Sequence, residues 1–335
     1  MSTANGIAIT GIGIEVPGLD DMAGLLDHRP LPDTRVFEPA RKLGRKGLLY
    51  KDAATKLALC SVHDALTRAG LPVRDLHAAA PTGVVVSSNL GNLDTVCKVI
   101  DALYAGSTAD LSPMDAANAS SNVIASSIAI RFGCRSLNLM MCSGATSGLD
   151  ALFVAANALK TRRAERMIVV GVEPQNDVVR QLAAASLNDA RTSPAGLPLG
   201  EGAACVILET LTAARQRHAA IHGVIDGYVY QKPEEAPRAM PRPDLWLTPN
   251  QAWPSMRALG DALRETWETE PPTCDLSCAL GELYGALGVF QSVAACCWLD
   301  RQTAGGDAAR ALTVLATAGG SWGDGVASLT IRRPS

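Results

Sequence analysis

The 335-residue sequence predicts an α/β protein built from two successive halves, and three observations carry that expectation. Short β-branched or apolar runs alternate with longer stretches of helical periodicity, as in βαβ units on a parallel or mixed sheet. The strand-like runs are almost continuously apolar, as strands covered by helices on both faces are. Aromatic residues make up only 4% of the chain, while glycine occurs 30 times. That composition suits helices packed closely on a sheet.

In chain order, strands are expected at Ile7–Ile12, Gly83–Ser87, Leu137–Met141, Met167–Val172 and Ala204–Leu208. Helical patterns lie between them at Ala53–Ala69, Leu93–Tyr104, Ser121–Phe132, Ser147–Thr161 and Asp177–Ala185. A second set follows, with strands at Ile221–Tyr230, Asp275–Leu280, Leu312–Ala316 and Ala327–Ile331 and helices at Ala252–Trp267 and Tyr284–Leu299. The stretch "YQKPEEAPRAMPRPDLWLTP", rich in proline and charge, reads as a surface loop. The halves meet near Thr210, giving residues 1–209 and a shorter 210–335. The order of elements suggests a duplication, although no repeat is visible in the sequence itself.

Bulk properties narrow the function. A hydrophobic content of 47% supports a sizeable core. A net charge of −3 and a pI near 6.0 do not suit a nucleic-acid binder. Nine scattered cysteines, an odd count without framework spacing, read as reduced thiols. Cys274 and Cys278 lack a second pair and neighbouring histidines, which argues against zinc. No cofactor or metal is expected. There is no signal-like leader and no run of about 18 apolar residues, so a cytoplasmic protein with no membrane span is expected.

The segment "MMCSGATSGLDAL" carries the chemistry. A strand runs into a turn of small residues and then a helix, the pattern of a nucleophile elbow. A helix N-terminus there would lower a thiol pKa and offer N–H groups to an oxyanion. Two readings stand on spacing alone: Cys142 as a nucleophile for acyl transfer, or a glycine-rich connection beside a buried cysteine.

Six segments in order resemble β-ketoacyl synthases of the thiolase fold. They are "IAITGIGIEVPG", "SPMDAANASSNVIASSIAIRFGCRSLNLMMCSGATSG", "MIVVGVEP", "LGEGAACVILE", "GELYGALGVFQSVAA" and "ATAGGSWGDGVASLTI". The resemblance covers nearly the whole chain and implies a layered α-β-α-β-α architecture. It also implies that the nucleophile seat is Ala145. The spacing from Ala145 to Glu173 matches the family without a gap, whereas Cys142 would need three inserted residues. The family's active-site histidine falls on Glu282 and its lysine on Ser277. All five histidines, His28, His63, His77, His218 and His222, lie at or before position 222, so the later chain offers neither catalytic histidine. Alanine cannot be acylated, and an ionised Glu282 would repel a developing enolate.

The resemblance therefore implies a chain-length-factor-like subunit of a type II polyketide system, polyene-type or fatty-acid-like. Such a subunit lacks catalysis of its own and forms a heterodimer with an active ketosynthase, meeting an acyl carrier protein through that complex. Its dimer edge would be the strand Leu137, Asn138, Leu139, Met140 and Met141. Met114, Ala116, Ala117, Ala119, Ser120 and Val123 would wall the partner's tunnel, or serve only tight helix packing. The basic run Arg41, Lys42, Arg45 and Lys46 reads as a solvated face, or as a contact for an acidic carrier protein. Trp322 would plug the vestigial pocket or fill core, and Cys142 would be a small buried hydrophobe. The alternatives are an enzyme of altered acyl-transfer or decarboxylase chemistry, and a homodimeric acyl-chain-binding protein.

Overall fold

A computed structural model describes residues 6–19, 21–27, 37–186, 198–232, 235, 238, 240–249, 254–304, 310–319 and 325–334. Its strands are β1 (Ile7–Glu15), β2 (Thr82–Ser87), β3 (Asn138–Met141), β4 (Arg166–Glu173), β5 (Gly202–Thr210), β6 (Gly223–Gln231), β7 (Leu245–Leu247), β8 (Thr273–Cys274), β9 (Thr313–Gly319) and β10 (Val326–Arg332). They form one sheet in the order β3-β2-β4-β5-β1-β6-β10-β9-β7-β8.

That order contains the same pattern twice. In the first half β2 pairs in parallel with β3 and β4, β4 antiparallel with β5, and β5 antiparallel with β1. In the second half β7 pairs in parallel with β8 and β9, β9 antiparallel with β10, and β10 antiparallel with β6. The first strand of each half joins the two, with Ile7, Ala8 and Ile9 opposite Ile225, Val224 and Gly223. The repeat absent from the sequence is thus present in the pairing.

Layers follow from which residues the strands point to each side. Val84 and Val86 of β2 pack with the helices Ala53–Arg68 and Val123–Phe132 on the outer face. Val85 points the other way, into a core shared with the helices Ser147–Lys160 and Leu287–Ala304. In the second half Trp246 and Leu315 face outward onto Leu263 of the helix Pro254–Arg264. The two central helices therefore lie between sheet halves, giving the α-β-α-β-α order. Their starts nearly touch: a Cβ on Gly148 would lie 2.8 Å from the Gly285 carbonyl oxygen, and one on Gly288 would lie 2.6 Å from the Leu149 nitrogen. Only glycine allows backbones to approach this closely.

Three expectations about local structure need correction. Asp275–Leu280 is not a strand. The strand is confined to Thr273–Cys274, and Ser277–Leu280 is a helical turn begun by Asp275, whose Oδ1 accepts from the Ser277 N–H (2.9 Å) and hydroxyl (2.6 Å). The Pro-rich stretch is not wholly a surface loop. It contains β7, where Trp246 is fully buried and its Nε1–H donates to Thr317 Oγ1 at 2.8 Å. Three residues are too few to show alternation. The helix expected from Ser121 starts at Val123 and is preceded by a separate helix, Pro113–Asn118. Ser112 caps that helix and Pro113 opens it, a placement where the missing N–H costs nothing.

Candidate functional site

The site lies where β3 turns into the central helix. The turn Gly144–Thr146 follows Cys142 and Ser143, and the helix begins at Ser147. Gly144 has φ +76, a conformation that L side chains rarely adopt. Ala145 is buried in this turn. The Gly144 carbonyl accepts from Asn89 Nδ2 (2.9 Å) and from the Ser147 hydroxyl (2.6 Å). Asp150, one turn into the helix, accepts from Ser143, Thr146 and Tyr228 hydroxyls. The turn is therefore held on both sides by side chains that are not at position 145.

The second half supplies a matching turn, Tyr284–Ala286, before its own central helix. The two turns are in contact, and Gly285 approaches Asn89, Ser147 and the Gly144 carbonyl. Glu282 sits just before this turn and is buried. Its Oε1 accepts from the Tyr284 N–H at 2.8 Å, while its main chain pairs with Pro198 and Gly200. Ser277 is also buried, with its hydroxyl on Asp275. The Glu282 Oε1 and the Ser277 hydroxyl thus each bond within their own loop.

Glu173 was only a spacing marker in the sequence, yet it ties the site together. It ends β4 and is 1% exposed. It accepts from the Asn89 N–H (2.7 Å), the Leu90 N–H (3.0 Å), the Ser88 hydroxyl (3.1 Å) and the Gly285 N–H. Burial nevertheless outweighs these donors and pushes its carboxyl up to about 7. The one available signal was a glutamate closing the apolar run "MIVVGVE".

Cys142 is exposed, which corrects the expectation of a buried hydrophobe. Its sulfur rests 3.1 Å from the Ser88 carbonyl oxygen, before the turn rather than within it. Partial burial and then the Glu173 carboxylate push its thiol above the ordinary value. Iodoacetamide at pH 7 is expected to label Cys142 more slowly than a free cysteine, with the rate climbing steeply as pH rises. Peptide mass spectrometry reads this directly, and rapid labelling at pH 7 would contradict it.

The other candidates form a surface. Among the described residues β3 is the edge of the sheet, paired with β2, and Asn138, Leu139, Met140 and Met141 are each half-buried; Leu137 precedes the strand, its carbonyl accepting from the Val84 N–H. Met114, Ala116, Ala117 and Ser120 are exposed and Ala119 is half-buried. Val123 instead joins the chain's own core beside Ile124 and Ala125. The adjoining helix Leu93–Ala105 has no buried residue, and Tyr104 on it is 89% exposed. Trp322 and His28 lie outside the described residues. Among the described residues no group of three or more His, Cys, Asp or Glu is arranged to hold a metal, and no helix is long and apolar enough to cross a membrane.

Comparison with known proteins bears on the family. Residues 33–214 match the family profile "Beta-ketoacyl synthase, N-terminal domain". A 3-oxoacyl-[acyl-carrier-protein] synthase 2 from Coxiella burnetii is 28% identical over 257 residues, covering 66% of this chain and 62% of that protein. Nodulation protein E from Rhizobium meliloti is 25% identical over 224 residues, covering 64% of this chain and 54% of that protein. The chain thus spans less than two thirds of the length of these relatives. Among solved structures, an ishigamide ketosynthase/chain length factor has a TM-score of 0.77 at 15% identity, covering 98% of this chain and 99% of that one. A type II polyketide synthase acyl-carrier protein in complex with its ketosynthase (AntDE:AntF) gives 0.77 at 16% identity, with 98% and 99% covered. At these identities the structural likeness speaks for the fold, a thiolase-like ketosynthase fold with a mixed sheet. With the profile spanning more than half of the sequence, the chain belongs to the β-ketoacyl synthase family.

Proposed function

We propose that this chain is a non-catalytic, chain-length-factor-like subunit that pairs with an active ketosynthase and shapes the cavity for its growing acyl chain. The observation that carries this reading is Ala145, buried at the seat of an intact elbow. A methyl group can neither attack nor carry a thioester. The neighbouring Glu282 and Ser277 serve their own loops, and Cys142 has a raised rather than a lowered thiol pKa. An elbow preserved in shape without a nucleophile is suited to a partner's chemistry.

The uncovered edge supports the partner. An unpaired strand edge invites pairing with another chain, and the helix Val123–Phe132, which packs on β3, carries the exposed apolar side chain Ile130. The ketosynthase in the complex would receive the acyl carrier protein. Co-purification with an active ketosynthase from the same organism tests the reading. A stable one-to-one complex that decarboxylates malonyl carrier protein, while this chain alone does not, supports it. Activity of the isolated chain that Cys142→Ala abolishes would overturn it.

The small residues Ala116, exposed, and Ala119, half-buried, then become candidates for walling the cavity. Ala116→Phe or Ala119→Phe in the complex is expected to shorten the product by one or more extension units. Mass spectrometry of released products is the readout, and an unchanged length distribution removes these residues from that role.

A further inference from the structure

A second concave site lies on the outer face of the first half, on the side of the sheet away from the elbow helix. It is a cleft of about 360 Å³ between the helices Ala53–Arg68 and Val123–Phe132 and the 42–46 segment. Lys42, Lys46, His63, Arg74 and Arg131 line it, above Phe132. We propose that this cleft binds a small phosphate ester or pyrophosphate-type anion.

The charge balance points to that class of ligand. Lys42 is neutralised, with Nζ 2.6 Å from both Glu15 and Asp64. Asp75, the chain neighbour of Arg74, lies 4.0 Å from Arg135. Lys46 and Arg74 are exposed and have no carboxylate partner among the described residues. Arg131 directs its guanidinium at the Leu43 and Lys46 carbonyls, which hold it in place without cancelling its charge. Burial and then the neighbouring Arg74 push Arg131 below its ordinary value. His63 Nδ1 is buried without a hydrogen-bond partner, 3.8 Å from Asp64.

Three cations therefore converge on one concavity in a chain whose net charge is −3. Like charges held together by the fold repel, and an anion between them removes the repulsion. Guanidinium forks match phosphate oxygens in pairs, and lysine adds a point charge. The volume falls in the range of small-molecule sites, well above that of a single halide.

Pyrophosphate and inorganic phosphate, titrated into the full-length protein at constant ionic strength set with NaCl, test the proposal. Calorimetry should show saturable binding, and the Tm should rise with the logarithm of ligand concentration. Arg74→Glu and Lys46→Glu, both at exposed positions, should each weaken binding at least tenfold while the ligand-free Tm holds or rises. A shift that NaCl alone reproduces, binding unchanged in both variants, or a cleft that takes only an acidic protein surface and ignores pyrophosphate would overturn it.

Discussion

Replacing Glu173 with Ala is expected to destabilise the chain by about 3–5 kcal/mol, because several buried donors lose their acceptor at once. Those donors are the Asn89 and Leu90 N–H groups, the Ser88 hydroxyl and the Gly285 N–H. They come from the end of β2 and from the second half's turn, so the loss loosens both walls of the elbow together. The same carboxyl gives stability a pH dependence. Its value of about 7 in the folded chain lies above the ordinary 4.5, so the folded state holds the proton more tightly than the unfolded state. The stabilisation is fully present below about pH 4.5 and is lost as pH rises through about 7. At 1.36 kcal/mol per unit the loss is about 3 kcal/mol. Denaturant unfolding of wild type and Glu173→Gln at pH 5 and pH 8 isolates it. The difference between the two proteins should move by roughly that amount in favour of Gln at pH 8. Parallel pH profiles would show that the carboxyl titrates as an ordinary one.

In the proposed complex with a ketosynthase, Ile100→Asp combined with Leu103→Asp should weaken binding at least a hundredfold, about 2.7 kcal/mol. Both side chains lie on a helix with no buried residue of its own and are more than 40% exposed. The isolated chain should therefore lose little, within about 0.5 kcal/mol for each surface change. That contrast separates an interface role from a folding role. Size-exclusion chromatography of the co-expressed pair reads the first, and thermal unfolding of the single chain reads the second. Unimpaired assembly of the double variant would place the partner elsewhere on the surface.

Long apolar runs such as Met167–Val172 were legible because helices cover both faces of β4, leaving no polar alternation to confuse the pattern. The turn after β3 was legible because a glycine and small side chains are needed where backbones crowd. Short elements were not legible. β7 and β8 have three and two residues, and β7 sits amid prolines and charges. Asp275–Leu280 misled because its apolar residues suit a buried strand as well as a buried helical turn, and the side-chain bond from Asp275 settles the choice. Glu173 could be located but its work could not be read, since it depends on N–H groups distant in sequence, those of Asn89, Leu90 and Gly285. The basic cleft was visible only as the run from Arg41 to Lys46; Arg74 and Arg131 join it through folding alone.

The crossing of the central helices at Gly148 and Gly288 has an evolutionary consequence. Each half acts as the mould for the other's elbow, and its tightest contacts at Gly148 and Gly288 are to main-chain atoms. Position 145 is not one of these glycines, so in the reading proposed above a nucleophile can be lost there while the glycine contacts stay in place. On that reading form and chemistry are inherited separately in this architecture, and a duplicated gene for an enzyme becomes one for a scaffold while the elbow keeps its curve.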